Sequence, residues 1–349
     1  MRIAITGASG NVGSALVHRL QRDEGHELVG IARRPPADDG IEWHAVDLST
    51  DEDLSALRTA LTGADAVVHL AWGFQPTHRT TYLEELGVGG TRRVVTTAIE
   101  CRVRHVVHQS SVGAYSAKVD AAPVDEHYPT GGIPSSPYSR HKVAAERFLD
   151  DVRHERATTI TRMRPGIIGQ RRAGSSLLRY GVPLLVPARL VRTVPVLPLD
   201  RAIAVPMVHA DDVAEAITAA VEGKVPGPFN LAAGTVSVHD IADALGARHV
   251  HMPAGVLRAA ASATWHLRLQ QVDPGWLDMA RLAPALDASR AARDLGWLPR
   301  RASREVLDET VAGLIDADSG DTAVLRRRSI SRELANLRDH GPVSWRRRP

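Results

Sequence analysis

The feature that most constrains this chain is its opening. An apolar run, Ile3-Ala-Ile-Thr-Gly7, passes into Thr6-Gly7-Ala8-Ser9-Gly10-Asn11-Val12-Gly13, and a helical pattern starts at Asn11 and runs to about Asp23. The glycines recur at i, i+3 and i+6. The first suits a tight turn with positive φ, the missing Cβ atoms let the backbone approach a bound group, and the last lets helix and strand pack closely. The helix N-terminus offers unpaired N–H groups and the positive end of its dipole to a pyrophosphate. A glycine triplet alone marks only a tight βα turn; between a strand and a helix it predicts dinucleotide binding by Gly7, Ser9, Gly10, Asn11, Val12 and Gly13.

Short apolar runs then alternate with helical stretches. Residues 27–32, 42–46, 65–71, 104–111 and 158–164 read as strands, and 78–100 and Tyr138 to about Val152 as helices. Thr50, with Asp53 as its capping-box partner, is expected to open a helix after the third strand. Strands this continuously apolar predict an α/β fold, a doubly wound parallel Rossmann sheet with a smaller C-terminal substrate domain. The expected division is a dinucleotide-binding domain over 1–165, to which 208–234 returns, and a substrate-binding region over 166–207 and 235–320. Prolines 183, 187, 195 and 198 forbid a long helix or a central strand over 182–199, which reads as an apolar, irregular cover. Helical patterns return at 211–222, 237–246, about 254–269 and 303–316, and Asp211 and Asp212 suit a helix N-terminus better than catalysis.

The chain's net charge of +3 comes from residues 321–349, an Arg-rich extension with eight arginines against three acids. It is expected to be solvated or surface-packed, and no nucleic-acid partner is expected. The first residues show no basic n-region or cleavage site, and no apolar run reaches the ~18 residues of a membrane span, so a cytoplasmic protein with no membrane partner is expected. Cys101 is the only cysteine, which excludes an internal disulfide and a Cys-rich metal site. Sixteen histidines form no HExxH-like set, so no metal is expected.

The second strand closes Ala32-Arg33-Arg34, with alanine where an acid would bind the 2′-hydroxyl of NAD(H). Guanidinium groups suit a 2′-phosphate, so NADP(H) is favoured, with NAD(H) the alternative. Asp47 and Leu48 would lie beside the adenine. Tyr138-Ser-Arg-His-Lys142 sets a phenol and an ammonium one helical turn apart. A phenol ionises near pH 10, and an adjacent cation favours the phenolate. Lysine is used sparingly here: three of 43 basic residues are Lys118, Lys142 and Lys224. A hydroxyl of Ser110 or Ser111, at the carboxyl end of a strand, can hydrogen-bond a substrate oxygen while Tyr138 exchanges its proton.

These residues, with VVHLAW (67–72), SSVGAY (110–115), RPGIIG (164–169), VHADDVAEAI (208–217), FNLAAG (229–234) and LDASRAARDLGWLP (286–299), resemble the extended short-chain dehydrogenase/reductases, the NAD-dependent epimerase/dehydratase family. The resemblance covers about residues 1–315. It implies Ser111, rather than Ser110, with Tyr138 and Lys142 as a catalytic triad. It also implies Leu70, Ala71, Trp72, Pro165, Ile167 and Ile168 around the ribose and nicotinamide, and the Tyr115 region along the substrate cleft. Three positions depart from the pattern. Gly87-Val88-Gly89-Gly90-Thr91 lacks the asparagine of NVxGT, and Val205 and Trp276 stand where arginines grip a nucleotide-sugar diphosphate. A diphosphate without arginine partners would bind weakly. The expected function is therefore an NAD(P)-dependent oxidoreductase moving hydride on a hydroxyl/ketone of a neutral, fairly hydrophobic small-molecule substrate, as a monomer or homodimer. The alternatives are a nucleotide-sugar epimerase or dehydratase with transient oxidation, and a non-catalytic dinucleotide sensor.

Overall fold

A computed structural model describes residues 1–349 except 24, 37–39, 74–76, 153–157, 182–187, 189–192, 271, 330, 332–333, 336–337 and 340–349. In chain order the first half runs β1 (Arg2–Thr6), α1 (Asn11–Leu20), β2 (Glu27–Ala32), β3 (Glu42–Ala45), α2 (Leu54–Leu61), β4 (Ala66–His69), α3 (Thr80–Glu84), α4 (Gly90–Glu100), β5 (His105–Gln109), α5 (Pro137–Val152) and β6 (Thr159–Pro165). Then follow β7 (Ile167–Gly169), α6 (Gly174–Gly181), β8 (Val196–Leu199), β9 (Ala204–His209), α7 (Ala210–Gly223), β10 (Gly227–Leu231), β11 (Gly234–Ser237) and α8 (Val238–Leu245). The chain continues through β12 (Arg248–His251), α9 (Ala254–His266), α10 (Gly275–Leu282), α11 (Ser289–Leu295) and α12 (Ser303–Asp316).

Seven strands form one parallel sheet in the order β3-β2-β1-β4-β5-β6-β10. Chain order reverses between β1 and β4, and ligands of such sheets bind outside the strand ends at that reversal. Alternate residues of each strand face opposite layers. Val68 and Val107 join α1 and α7 in one core, whereas Val67 and Val106 join α2, α4 and α5 in the other. Cover on both faces is why the strands read as unbroken apolar runs. Smaller sheets, β11-β9-β7 and β12-β8, lie in the second half. Val205 and Met207 of β9 pack there with Val236, Val306 and Leu307.

Several local expectations change. The helix expected over 78–100 is interrupted by a π-helical turn, Glu85–Gly89, between α3 and α4. Thr50 does not cap α2: its hydroxyl takes the Glu52 N–H at 2.9 Å, and Asp53, at the N-cap position, accepts the Asp47 N–H at 2.7 Å. The cap of α7 is His209, whose ring accepts the Asp211 N–H at 3.1 Å; Asp211 and Asp212 occupy the first turn. Of the proline-rich cover, 182–187 and 189–192 lie outside the described residues. Pro198 is accommodated in β8 because that strand belongs to a two-stranded sheet. Of the Arg-rich extension, 330, 332–333, 336–337 and 340–349 lie outside the described residues. Among the described residues no helix is long and apolar enough to cross a membrane.

β4 and β5 carry three fully buried imidazoles, His69, His105 and His108. Burial lowers the first to about 3, the second to about 4, and the third well below the usual range. An unfolded chain takes up these protons near pH 6.5, whereas the folded protein excludes them, so stability is lost as pH falls from 6.5 towards 4. Thermal unfolding followed from pH 7 to pH 5 should show the midpoint falling, and His108→Leu should flatten that slope.

Candidate active site

At the carboxyl edge of the large sheet lies a cleft of about 410 Å3. Of the residues singled out from sequence, it brings together Gly7, Ser9, Gly10, Asn11, Val12, Gly13, Arg33, Asp47, Leu48, Leu70, Ala71, Trp72, Ser111, Tyr138, Lys142, Pro165, Ile167 and Ile168. Arg34 is the exception; it is exposed and not part of the lining. Both arginines lie in the bend that follows β2, and of the two only Arg33 lines the cleft.

The glycine loop is sterically compelled. Gly7 has φ +71°, and a Cβ on it would stand 2.8 Å from the Ala71 nitrogen; one on Gly13 would stand 2.2 Å from the Gly7 carbonyl oxygen. Helix α1 starts behind this loop with Gly10 at its N-cap, no side-chain cap and no acid in its first turn. Its positive end is therefore uncompensated from within the helix, which fits an anionic ligand. Asn11 ties the loop across the cleft: its Nδ2 donates to the Ile168 carbonyl at 3.2 Å, and its Oδ1 accepts from Gln170 at 2.6 Å. At the other end Arg33 Nη1 donates to the Tyr82 hydroxyl at 2.7 Å, and both residues line the cleft.

Pro137 begins α5, a position where proline's missing N–H is harmless. Tyr138 and Lys142 then project from successive turns. Burial pushes the Tyr138 phenol up to about 12, and a hydrogen bond with Ser111 works in the opposite direction. Burial also holds the Lys142 ammonium well below its ordinary range. Its Nζ donates to the Gln109 carbonyl at 2.8 Å and lies 3.4 Å from the centroid of the Trp72 ring. Ser111 accepts the Gly113 N–H at 3.0 Å, so it both caps a turn and faces the cleft. The Ser110 hydroxyl is taken up by Glu146 at 2.5 Å. Trp276 and Met279 of α10 wall the cleft beside Tyr138, the Trp276 ring lying 4.9 Å from the phenol ring.

Behind this surface is a buried polar network absent from the sequence analysis. Glu146 accepts from Arg164 at both oxygens, 2.9 and 2.5 Å, and Arg162 lies 3.6 Å away. Arg164 also donates to the Tyr115 hydroxyl at 3.0 Å, which donates to Asn230 at 2.6 Å. Tyr115, expected along the substrate cleft, is instead completely buried in this network. The one sequence hint was Glu146 standing one turn beyond Lys142.

The C-terminal segment, expected to be solvated or surface-packed, supplies part of the cleft wall. After α12 it returns to the glycine loop, where Thr322 Oγ1 donates to the Ser9 carbonyl at 2.7 Å. Ser176 and Arg179 of α6 donate to the Val324 carbonyl, and Val324 and Leu325 line the cleft. Among the described residues, Asp23, His26 and Glu222 hold potential metal-ligand atoms within 4.8 Å of one another; none lines the cleft.

A family model described as the NAD dependent epimerase/dehydratase family matches residues 3–232. A UDP-glucose 4-epimerase of Mycolicibacterium smegmatis is 29% identical over 330 residues, covering 89% of this chain and 97% of that one. A 3-beta-hydroxysteroid dehydrogenase of Mycolicibacterium neoaurum is 27% identical over 208 residues, 55% of this chain and 56% of that one. An uncharacterized protein of Mycobacterium tuberculosis is 28% identical over 348 residues, 97% of this chain, which spans only 33% of that relative's length. Among solved structures, a UDP-glucose 4-epimerase from Stenotrophomonas maltophila, with bound NAD and formylated UDP-arabinopyranose, matches with a TM-score of 0.69 at 20% identity, covering 91% of this chain and 98% of that one. That likeness establishes a shared fold. The model spanning Ile3 to Ala232, from the glycine loop through the Tyr138–Lys142 helix to β10, shows that this chain belongs to the NAD dependent epimerase/dehydratase family.

Proposed function

We propose that this cleft holds a nicotinamide dinucleotide and that the chain is an oxidoreductase acting on a hydroxyl/carbonyl pair in a neutral, apolar substrate. The observation that carries the substrate class is the wall beside Tyr138, built of Trp276 and Met279. Val205 is buried among Met207, Val236 and Val306. Arg281, the arginine of α10, lines a separate small pocket with Asp200 and Asp278. Anionic substrates would thus meet indole and thioether where they need guanidinium.

The glycine loop, with the open N-terminus of α1, would hold the pyrophosphate, and Leu70, Ala71, Pro165, Ile167 and Ile168 the ribose–nicotinamide end. When bound, the nicotinamide supplies or accepts the hydride. Ser111 orients the substrate oxygen, Tyr138 gives or takes its proton, and the Lys142 charge favours the phenolate. Arg33, which lines the cleft and donates to Tyr82, would meet a 2′-phosphate, a reading in favour of NADP(H); NAD(H) stays the alternative. A relative named as a hydroxysteroid dehydrogenase supports net redox chemistry. One named UDP-glucose 4-epimerase, with nearly complete coverage, supports a second reading in which the same three residues oxidise a nucleotide sugar transiently.

Tyr138→Phe should lower turnover of NADPH with ketones by at least ~100-fold while NADPH still binds; turnover equal to wild type would sink the proposal. Arg33→Ala should weaken NADPH binding by about tenfold and leave NADH nearly unaffected, a comparison made by fluorescence titration. Calorimetric titration with UDP at millimolar concentration should give no saturable heat; saturation there would favour the epimerase reading.

A further inference from the structure

The departure at Gly87 and the indole at position 72 are two sides of one contact. Trp72 lies three residues beyond β4, and Gly87 lies in the π-helical turn opposite it. A Cβ on Gly87 would stand 2.9 Å from Trp72 Cζ2 and 3.1 Å from two further ring atoms, so the indole occupies the space of any side chain at 87. The face of that indole receives the Lys142 ammonium, with Nζ 3.4 Å from the ring centroid.

Lys142 is 2% exposed, yet among the described residues no ion pair is formed by it. Glu146, one turn on, has both oxygens engaged by Ser110, Arg164 and Arg162. The Glu146 charge still favours the ammonium from a distance, against the effect of burial, and the remaining groups supply no negative charge. Tyr138 is on the same helix; His69 of β4 and His108 of β5 are kept neutral by burial; Arg162 and Arg164 of β6 are cations. In direct contact with the ammonium are the Gln109 carbonyl and the face of the Trp72 indole. A carboxylate in the place of Trp72 would neutralise the charge that a Tyr138 phenolate requires, whereas an aromatic face stabilises a cation without cancelling it.

We propose that Trp72 is a positioning residue whose indole face holds the Lys142 ammonium charged and aimed beside Tyr138. Its functional meaning rests on the oxidoreductase reading above, but its test needs no substrate. With three lysines in the chain, protein labelled with 13Cε-lysine gives three NMR signals, and Lys142→Arg identifies one of them. The ε-methylene protons of Lys142 should lie well upfield of those of Lys118 and Lys224, because of the indole ring current. Trp72→Leu should abolish that shift and lower the Lys142 titration midpoint by about one pH unit, a tenfold change in protonation, and Trp72→Phe should restore most of it. The Tyr138 phenol, followed by phenolate absorbance against Tyr138→Phe, should ionise at higher pH in Trp72→Leu. A merely structural indole would lower thermal stability in the variants without moving either midpoint. A wild-type Lys142 signal at the position of the other two, or an unmoved midpoint in Trp72→Leu, overturns the proposal; if Trp72→Leu does not fold, the wild-type shift and Trp72→Phe decide it. Turnover in Tyr138→Phe judges the oxidoreductase reading separately.

Discussion

Helix α5 carries Tyr138, Lys142 and Glu146 at i, i+4 and i+8, one face turned to the sheet, and the last of the three is a carboxylate only 2% exposed. Its charge is matched by Arg164 from β6 and its hydrogen-bonding capacity is completed by Ser110 from the end of β5. Removing one partner from such a pair costs about 3–5 kcal/mol, because the other charge is stranded, although an apolar replacement of both can be equally stable. What the pair contributes is direction: three hydrogen bonds of fixed geometry set the register of α5 on the sheet, and with it the placing of Tyr138 against Ser111. Through Tyr115 and Asn230 the same network reaches β10, so the edge strand and the proposed catalytic helix share one scaffold.

The sheet was legible because its physics is local. Strands covered on both faces must be apolar throughout, and a βα turn that lets a helix start against its own strand needs glycine. Tyr138 and Lys142 were legible because helical spacing converts a four-residue interval into a shared face. Less legible features depend on partners far away in the chain. Tyr115 looked like a cleft residue until Arg164 and Asn230 were placed around its hydroxyl. Arg33 and Arg34 were alike in sequence, and the bend after β2 turns only Arg33 to the cleft. Thr50 and Asp53 had the spacing of a capping box, but Asp53 serves the backbone of Asp47 instead.

The departures at Gly87, Val205 and Trp276 proved more informative than the matches. Each removes a polar or charged side chain, and the space is filled by indole or aliphatic carbon. Trp72 takes the room beside Gly87, Trp276 lies over the Tyr138 ring, and Val205 disappears into the core below β9. Tyr138 and Lys142, the groups proposed to handle the proton, thereby lie against the Trp276 and Trp72 indoles, and low polarity there strengthens electrostatic interactions and raises the cost of any charge left unpaired.

The contact between Thr322 and Ser9 joins residues 313 positions apart. The glycine loop and the Val324–Leu325 wall of the same cleft are therefore brought together only by long-range contact. β1, α1 and β2 can form from contacts local in sequence, but the cleft they open into lacks Val324 and Leu325 until that distant segment docks. Loop closure over such a distance is entropically costly and slow relative to local helix and strand formation. The cleft is therefore completed after its local elements have formed, so a molecule that loses the docking of Val324 and Leu325 can keep its sheet and still present an unfinished cleft.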